Sequence, residues 1–188
     1  INPKKIEQAI TKKTRAIIPV HFAGLSAEID EIKKIAKKHN LSILEDAAHA
    51  FPTTYKGKKI GSLNTDITVF SFYANKTMTT GEGGMVITKN KNLAERIKLM
   101  RSHGINRDAF DRFSSSKPKW FYEVVAPGFK YNMTDISASF GLWQWENMRK
   151  WKSIRKQIVN KYSKELRDVE GLILPSINEQ HSLHLYVV

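Results

Sequence analysis

Lys76 lies in SFYANKTMTTGEGG, residues 71–84, just past an apolar, β-branched run and just before glycine-rich backbone. A lysine amine in a partly enclosed pocket loses its proton more readily and can form a Schiff base with a carbonyl. On position alone Lys76 reads more readily as a surface loop lysine. Glu45-Asp46 closes the apolar segment LSIL, at the carboxyl end of an expected strand. Open α/β sheets bind their ligands at that edge. A carboxylate there can pair with a cationic ring nitrogen or a metal, or simply be solvated. His49, three residues past Asp46, can stack on a bound ring or serve as a structural histidine. Ser71, near the end of the next apolar run, offers its hydroxyl to a phosphate or to a turn.

Several chemistries are excluded by what is missing. The chain has no cysteine, so it has no disulfide framework, no Cys-ligated zinc and no thiol nucleophile. Glu45, Asp46 and His49 do not form an H-E-x-x-H arrangement. His21, His103, His181 and His184 lack metal-ligand spacing, so no metal is expected. There is no G-x-G-x-x-G before a helix, and Gly81–Gly84 lacks the lysine that a P-loop requires. The formal net charge of +13 raises nucleic acid as a partner. No zinc-finger, RRM or helix-turn-helix pattern supports it, and the basic residues flank ordinary apolar stripes. The expectation is therefore no nucleic acid, with part of the charge serving to attract an anionic diphosphate. No apolar run is long enough for a membrane span, and no apolar h-region follows the first charges. The expected location is cytoplasmic, without membrane insertion.

The elements that must position these residues follow from periodicity. The 188 residues, 41% hydrophobic, suffice for one sizeable core or at most two small ones. Residues 4–13 are expected to be helical. RAIIPV (15–20) reads as a buried strand. Ser26 is a candidate N-cap for a helix carrying Ile29, Ile32, Ile35 and Ala36 at helical spacing, and LSIL (41–44) is a second strand. Strand, helix, strand predicts a mostly parallel sheet covered by helices. Residues 55–59 read as a turn, 67–72 and 85–87 as further strands, and Asn90 as the cap of a helix from 91 to about 102. Residues 103–131 have no steady period and read as a functional loop. Two helices are expected at 134–149 and 150–168, the second with an apolar stripe of Trp151, Ile154, Ile158 and Tyr162. LHLYVV (183–188) reads as a strand.

The segments EDAAHA (45–50), SFYANKTMTTGEGGMV (71–86) and GFKYNMTDISASFG (128–141) together resemble the DegT/DnrJ/EryC1/StrS family of sugar aminotransferases. AIIPVHFAG (16–24) and the closing HLYVV fit as well. HGINRDAFDRF (103–113) and residues 125–132 are most similar to the UDP-4-amino-4-deoxy-L-arabinose–oxoglutarate aminotransferase branch. The resemblance implies an α/β fold of the pyridoxal 5′-phosphate-dependent transferase type I (aspartate aminotransferase-like). It also implies a cofactor, pyridoxal 5′-phosphate, and a homodimer. The substrates implied are a nucleotide-linked keto-sugar and glutamate, which leaves as 2-oxoglutarate, in cell-surface or lipopolysaccharide sugar biosynthesis.

Carried over residue by residue, the resemblance implies that Lys76 bonds the cofactor aldehyde and that Asp46 pairs with its ring nitrogen. His49 lies beside the ring, Ser71 binds the phosphate, and Asn132 reaches the phosphate across the dimer interface. His21 falls near the cofactor or substrate. The chain resembles the middle of longer members. Residues 1–145 correspond to part of the large, cofactor-binding domain, and 146–188 to a linking helix and the start of the small domain. A piece lacking the rest of the phosphate cradle is expected to be weakly active or inactive. Two other readings start from the same fold: a non-catalytic fragment that binds a sugar nucleotide or a partner, and a sugar dehydratase using the same cofactor. The dehydratases typically have histidine where this chain has Lys76.

Overall fold

The computed structural model describes residues 1–106 and 122–188. Much of HGINRDAFDRF therefore lies outside the described residues. The chain divides into two compact units, residues 1–87 with 135–188, and residues 88–134.

The first unit is built on a four-stranded sheet in the order β1-β2-β5-β6. β1 (Ala16–Ile17), β2 (Ser42–Asp46) and β5 (Ile67–Ser71) run parallel, and β6 (Gly84–Ile87) closes the sheet antiparallel to β5. The mostly parallel α/β arrangement expected from the sequence is what forms. The crossover from β1 to β2 contains α2 (Ile29–His39). Its Ile29, Ile32 and Ala36 are buried, while Lys33, Lys34, Lys37 and Lys38 lie on the outer turns. That division is an amphipathic helix packing one stripe on a sheet. Acidic Asp30 and Glu31 open α2, basic Lys37 and Lys38 close it, and Asn40 ends it in the left-handed conformation. Between β2 and β5, β3 (Thr54–Tyr55) and β4 (Lys58–Lys59) form a small hairpin where the sequence predicts a turn.

Several local expectations are corrected. The helix expected over 4–13 is only a 3-10 turn, Pro3–Lys5, followed by α1 (Ile6–Ala9). It stops because Ile10 is extended and the Thr11 and Thr14 hydroxyls capture nearby backbone and each other. Ser26 does not cap α2: its hydroxyl donates to Ala27 O, and the N-cap position is Glu28. Residues 183–188 are not a strand. Leu183 has φ +61, which interrupts any extended run, and the neighbouring amides of Ser182 and Leu185 donate to Gly24 O and Ala23 O in a turn.

The two helices expected at 134–149 and 150–168 are one, α4 (Asp135–Glu165). No proline or cap separates Arg149 from Lys150, so the hydrogen-bond ladder continues. Its buried positions also differ from the expected stripe. Met148 and Val159 are buried, with Trp151 and Arg155 half-buried between them, while Ile154, Ile158 and Tyr162 are 40–49% exposed. Positions 148, 151, 155 and 159 follow helical spacing, so Arg155 lies on the inward stripe. Near its start α4 approaches the 78–80 loop closely at Gly141, where a Cβ would meet Thr80 Cγ2 at 2.8 Å. Trp145 then packs on Phe51, which meets Phe70 and Phe72 edge-on.

In the second unit, Asn90 caps α3 (Lys91–Met100) by accepting from the amides of Asn92 and Leu93, as the sequence predicts. Residues 122–131 then fold back on the end of α3. The Phe129 and Tyr131 amides donate to Met100 O and Arg101 O.

Candidate active site

The site lies at the carboxyl edge of β2 and β5. Asp46 is the last residue of β2, and its Oδ1 accepts from the Ala48 amide at 3.0 Å. That bond closes an Asx-type turn just before His49. Lys76 follows β5 in a loop that is folded tightly on itself. Its amide donates to Tyr73 O at 3.0 Å, and the Thr80 amide donates to Phe72 O at 2.9 Å. The Thr77 hydroxyl donates to Phe51 O, which ties this loop to the turn carrying His49.

The structure brings three of the expected residues into one electrostatic cluster. Burial first, and then the charge of Lys76, hold the His49 imidazole below the usual histidine value, against the opposing influence of Asp46. Lys76, Asp46 and His49 are all half-buried. Ser71 ends β5 on the same edge, and its hydroxyl accepts from the Tyr73 amide at 3.3 Å. Asn132 belongs to the second unit, where it is exposed and its Oδ1 accepts from the Lys130 ammonium.

Two residues that spacing alone does not single out join the cluster. His184 packs on His49 with ring centroids 4.6 Å apart. It is only 8% exposed, and its buried Nδ1 has no hydrogen-bond partner among the described residues. Burial, followed by the neighbouring His49, Lys76 and Arg155, pushes its pKa down to about 4. Arg155 donates from Nη1 to Leu183 O at 3.4 Å. Only the tertiary structure turns Arg155 inward, because the stripe expected from the sequence runs through Ile154 and Ile158 instead. Nothing local in the sequence links His184 to residue 49. The connection is a backbone seam. Ser182 donates its amide to Gly24 O and its hydroxyl to His49 O. Gly24 has φ +105 and lies so close that a Cβ there would overlap Ser182 Oγ.

The depressed His184 value has a consequence for stability. The unfolded ring takes up its proton near pH 6.5, whereas the folded ring resists protonation down to about 4. Stability is therefore lost as pH falls from about 6.5 to about 4, by on the order of 3 kcal/mol. Denaturant melts across this range should show an acid limb that shrinks in His184→Phe. An unchanged limb would contradict the buried, neutral assignment.

A family model, that of the DegT/DnrJ/EryC1/StrS aminotransferase family, matches residues 1–188. The chain belongs to the DegT/DnrJ/EryC1/StrS aminotransferase family. It is 52% identical over 188 residues to an uncharacterized protein, MJ1066, of Methanocaldococcus jannaschii, covering 99% of this chain and 48% of that one. It is 44% identical over 190 residues to the spore coat polysaccharide biosynthesis protein SpsC of Bacillus subtilis, covering 100% and 48%. Among solved structures it is similar to PseC of Helicobacter pylori, an aminotransferase of pseudoaminic acid biosynthesis. The TM-score there is 0.88 at 33% identity, over 99% of this chain and 48% of that one. The PLP form of the sugar aminotransferase Spr1654 of Streptococcus pneumoniae gives a TM-score of 0.84 at 32% identity, over 99% and 50%. The chain spans about half the length of the curated relatives it matches.

DegT/DnrJ/EryC1/StrS aminotransferases depend on pyridoxal 5′-phosphate, and the fold is that of the type I transferases. The donor set of this chain fits such a group. An amine, a carboxylate and an imidazole with a depressed pKa share one sheet edge. The buried His184 Nδ1 beside them has an unmet hydrogen bond among the described residues. No helix among the described residues is long and apolar enough to cross a membrane.

Proposed function

We propose that the chain is the lysine-bearing part of a homodimeric, cytoplasmic, pyridoxal 5′-phosphate-dependent aminotransferase. It would move the amino group of glutamate to a keto-sugar linked to a nucleotide, in cell-surface or lipopolysaccharide sugar biosynthesis. The observation that carries the reading is the Lys76–Asp46–His49 cluster at the carboxyl edge of a type I sheet. Further support comes from relatives named for spore coat polysaccharide and pseudoaminic acid biosynthesis. A similar solved structure, DesI, was determined with its TDP-sugar product, at 28% identity and a TM-score of 0.81.

When bound, the cofactor supplies an electron sink for the carbanion formed at the amino donor's α-carbon. Lys76 would hold the group by its aldehyde. Its Nζ, once free, would be the base that takes the α-proton and holds it for return. The Asp46 carboxylate would pair with the ring nitrogen and keep that nitrogen protonated. Its anchor on the Ala48 amide fixes its direction. His49 would line the ring, Ser71 would take the phosphate, and Asn132 of a second copy would add to the phosphate site. Residues 1–145 act as cofactor-binding domain, and 146–188 lead into the smaller domain.

The test uses the full-length protein, pyridoxal 5′-phosphate, glutamate and a panel of nucleotide-linked keto-sugars. The expected result is 2-oxoglutarate formed in step with an aminated sugar of the corresponding mass. Borohydride-stable labelling at Lys76 without any 2-oxoglutarate would leave the cofactor assignment and sink the transamination.

A further inference from the structure

Glu45 precedes Asp46 on β2, and alternation along the strand turns it to the opposite face. It is fully buried, as is His21. Glu45 Oε2 lies 2.9 Å from His21 Nε2. Its Oε1 accepts from the Thr68 hydroxyl at 2.8 Å and from the Thr65 hydroxyl. A buried carboxylate so supplied stays ionised. Burial pushes it up, and the hydrogen bonds from His21, Thr65 and Thr68 outweigh that and hold it below the usual carboxylate range.

The pair has the form of a salt bridge, but the other ring nitrogen decides otherwise. His21 Nδ1 accepts the Ala27 amide at 3.0 Å. An accepting nitrogen carries no proton, so the proton sits on Nε2 and the ring is neutral. Both ring nitrogens and both carboxylate oxygens are then fully engaged, and His21 has one orientation available.

That orientation reaches the site along two routes. The His21 amide donates to Asp46 O at 3.0 Å, and the Asp46 amide donates to Pro19 O at 2.9 Å. The turn that follows His21 presents the Ala23 amide to His49 Nδ1 at 3.3 Å. The same logic leaves the His49 proton on Nε2.

We propose that Glu45 and His21 are positioning residues for this site, acting on Asp46 through its backbone bonds to Pro19 and His21 and on His49 through the Ala23 amide. The consequence for turnover rests on the aminotransferase reading; the geometry does not. Glu45→Gln can still accept from His21 Nε2 while its amide donates to the threonine hydroxyls. Glu45→Met has a similar shape and no hydrogen bond to give or take.

The experiment uses the full-length protein with pyridoxal 5′-phosphate, and nitrogen-15 NMR of the histidine rings beside steady-state kinetics. In the parent, His21 should show a single ring proton, on Nε2. Glu45→Met should shift the His49 ring signals and lower kcat by roughly 10- to 100-fold, with little change in KM for glutamate. Glu45→Gln should restore both to near the parent. If Glu45→Met does not fold, the near-isosteric Thr68→Val, which removes one donor, is read by the same His49 signals with a smaller loss. A doubly protonated His21 overturns the proposal. So do unchanged His49 signals in a folded variant, or equal losses in the Gln and Met variants, which would point to charge. Should the parent itself turn over no sugar, the aminotransferase reading fails, and the NMR signals alone decide the positioning role.

Discussion

Lys76→Ala is expected to lower turnover of the full-length protein by at least ~10⁴-fold, because in the proposed mechanism one amine would both hold the cofactor and move the proton. The fold should tolerate the change. Lys76 is half-buried, and the loop around it is held by other groups: the Tyr73 carbonyl, the Thr77 hydroxyl on Phe51 O, and the Thr80 amide on Phe72 O. Borohydride with pyridoxal 5′-phosphate should label the parent at Lys76 and leave the variant unlabelled at every lysine, as read by peptide mass. Lys76→Arg should be no better than alanine for turnover, since a guanidinium stays protonated and cannot act as a base. Labelling of a different lysine in the parent would refute the assignment outright.

Asp46→Asn should cost on the order of 10³-fold in turnover, by analogy with other carboxylates that hold a partner ring in its working protonation state. The substitution isolates charge from geometry. The asparagine Oδ1 can still accept from the Ala48 amide, so the turn into His49 should survive. What would be lost is the negative charge proposed to pair with the ring nitrogen. The discriminating measurement is nitrogen-15 NMR of the cofactor ring nitrogen, protonated in the parent and unprotonated in the variant. Near-parental turnover with an unprotonated ring nitrogen would remove Asp46 from the mechanism. A second readout guards against a trivial loss. Because Asp46 also raises the His49 value, the variant should leave His49 still harder to protonate.

The positioning pair and the catalytic pair are separable in these experiments. Asp46 and Lys76 variants act on the chemistry and should leave the His21 ring signals in place. Glu45→Met should disturb His21 and His49 first and turnover through them. A double variant, Glu45→Met with Asp46→Asn, should therefore show less than the sum of the two losses, since the second has already removed what the first positions.

The sequence by itself determined the parts whose causes are local. Asp46, His49, Ser71 and Lys76 all stand within a few residues of a strand end, and strand ends follow from short apolar runs. The α2 stripe, the Asn90 cap and the mostly parallel sheet were legible for the same reason: capping and amphipathic spacing act within a turn or two. Tertiary structure alone decided the rest. α4 carries two candidate stripes, and periodicity cannot choose between them. What lies opposite the helix does, and it buries Met148 and Val159 and brings Arg155 inward. LHLYVV has strand-like composition, yet it meets a turn at Ala23–Gly24 instead of a strand edge, so no ladder forms. His184 packs on His49 from far along the chain, and Glu45 finds His21 just past the end of the neighbouring strand. Such pairs depend on which segments the topology makes neighbours. Here the candidate site residues stand in local motifs, and the environment that tunes and holds them comes from contacts between distant ones.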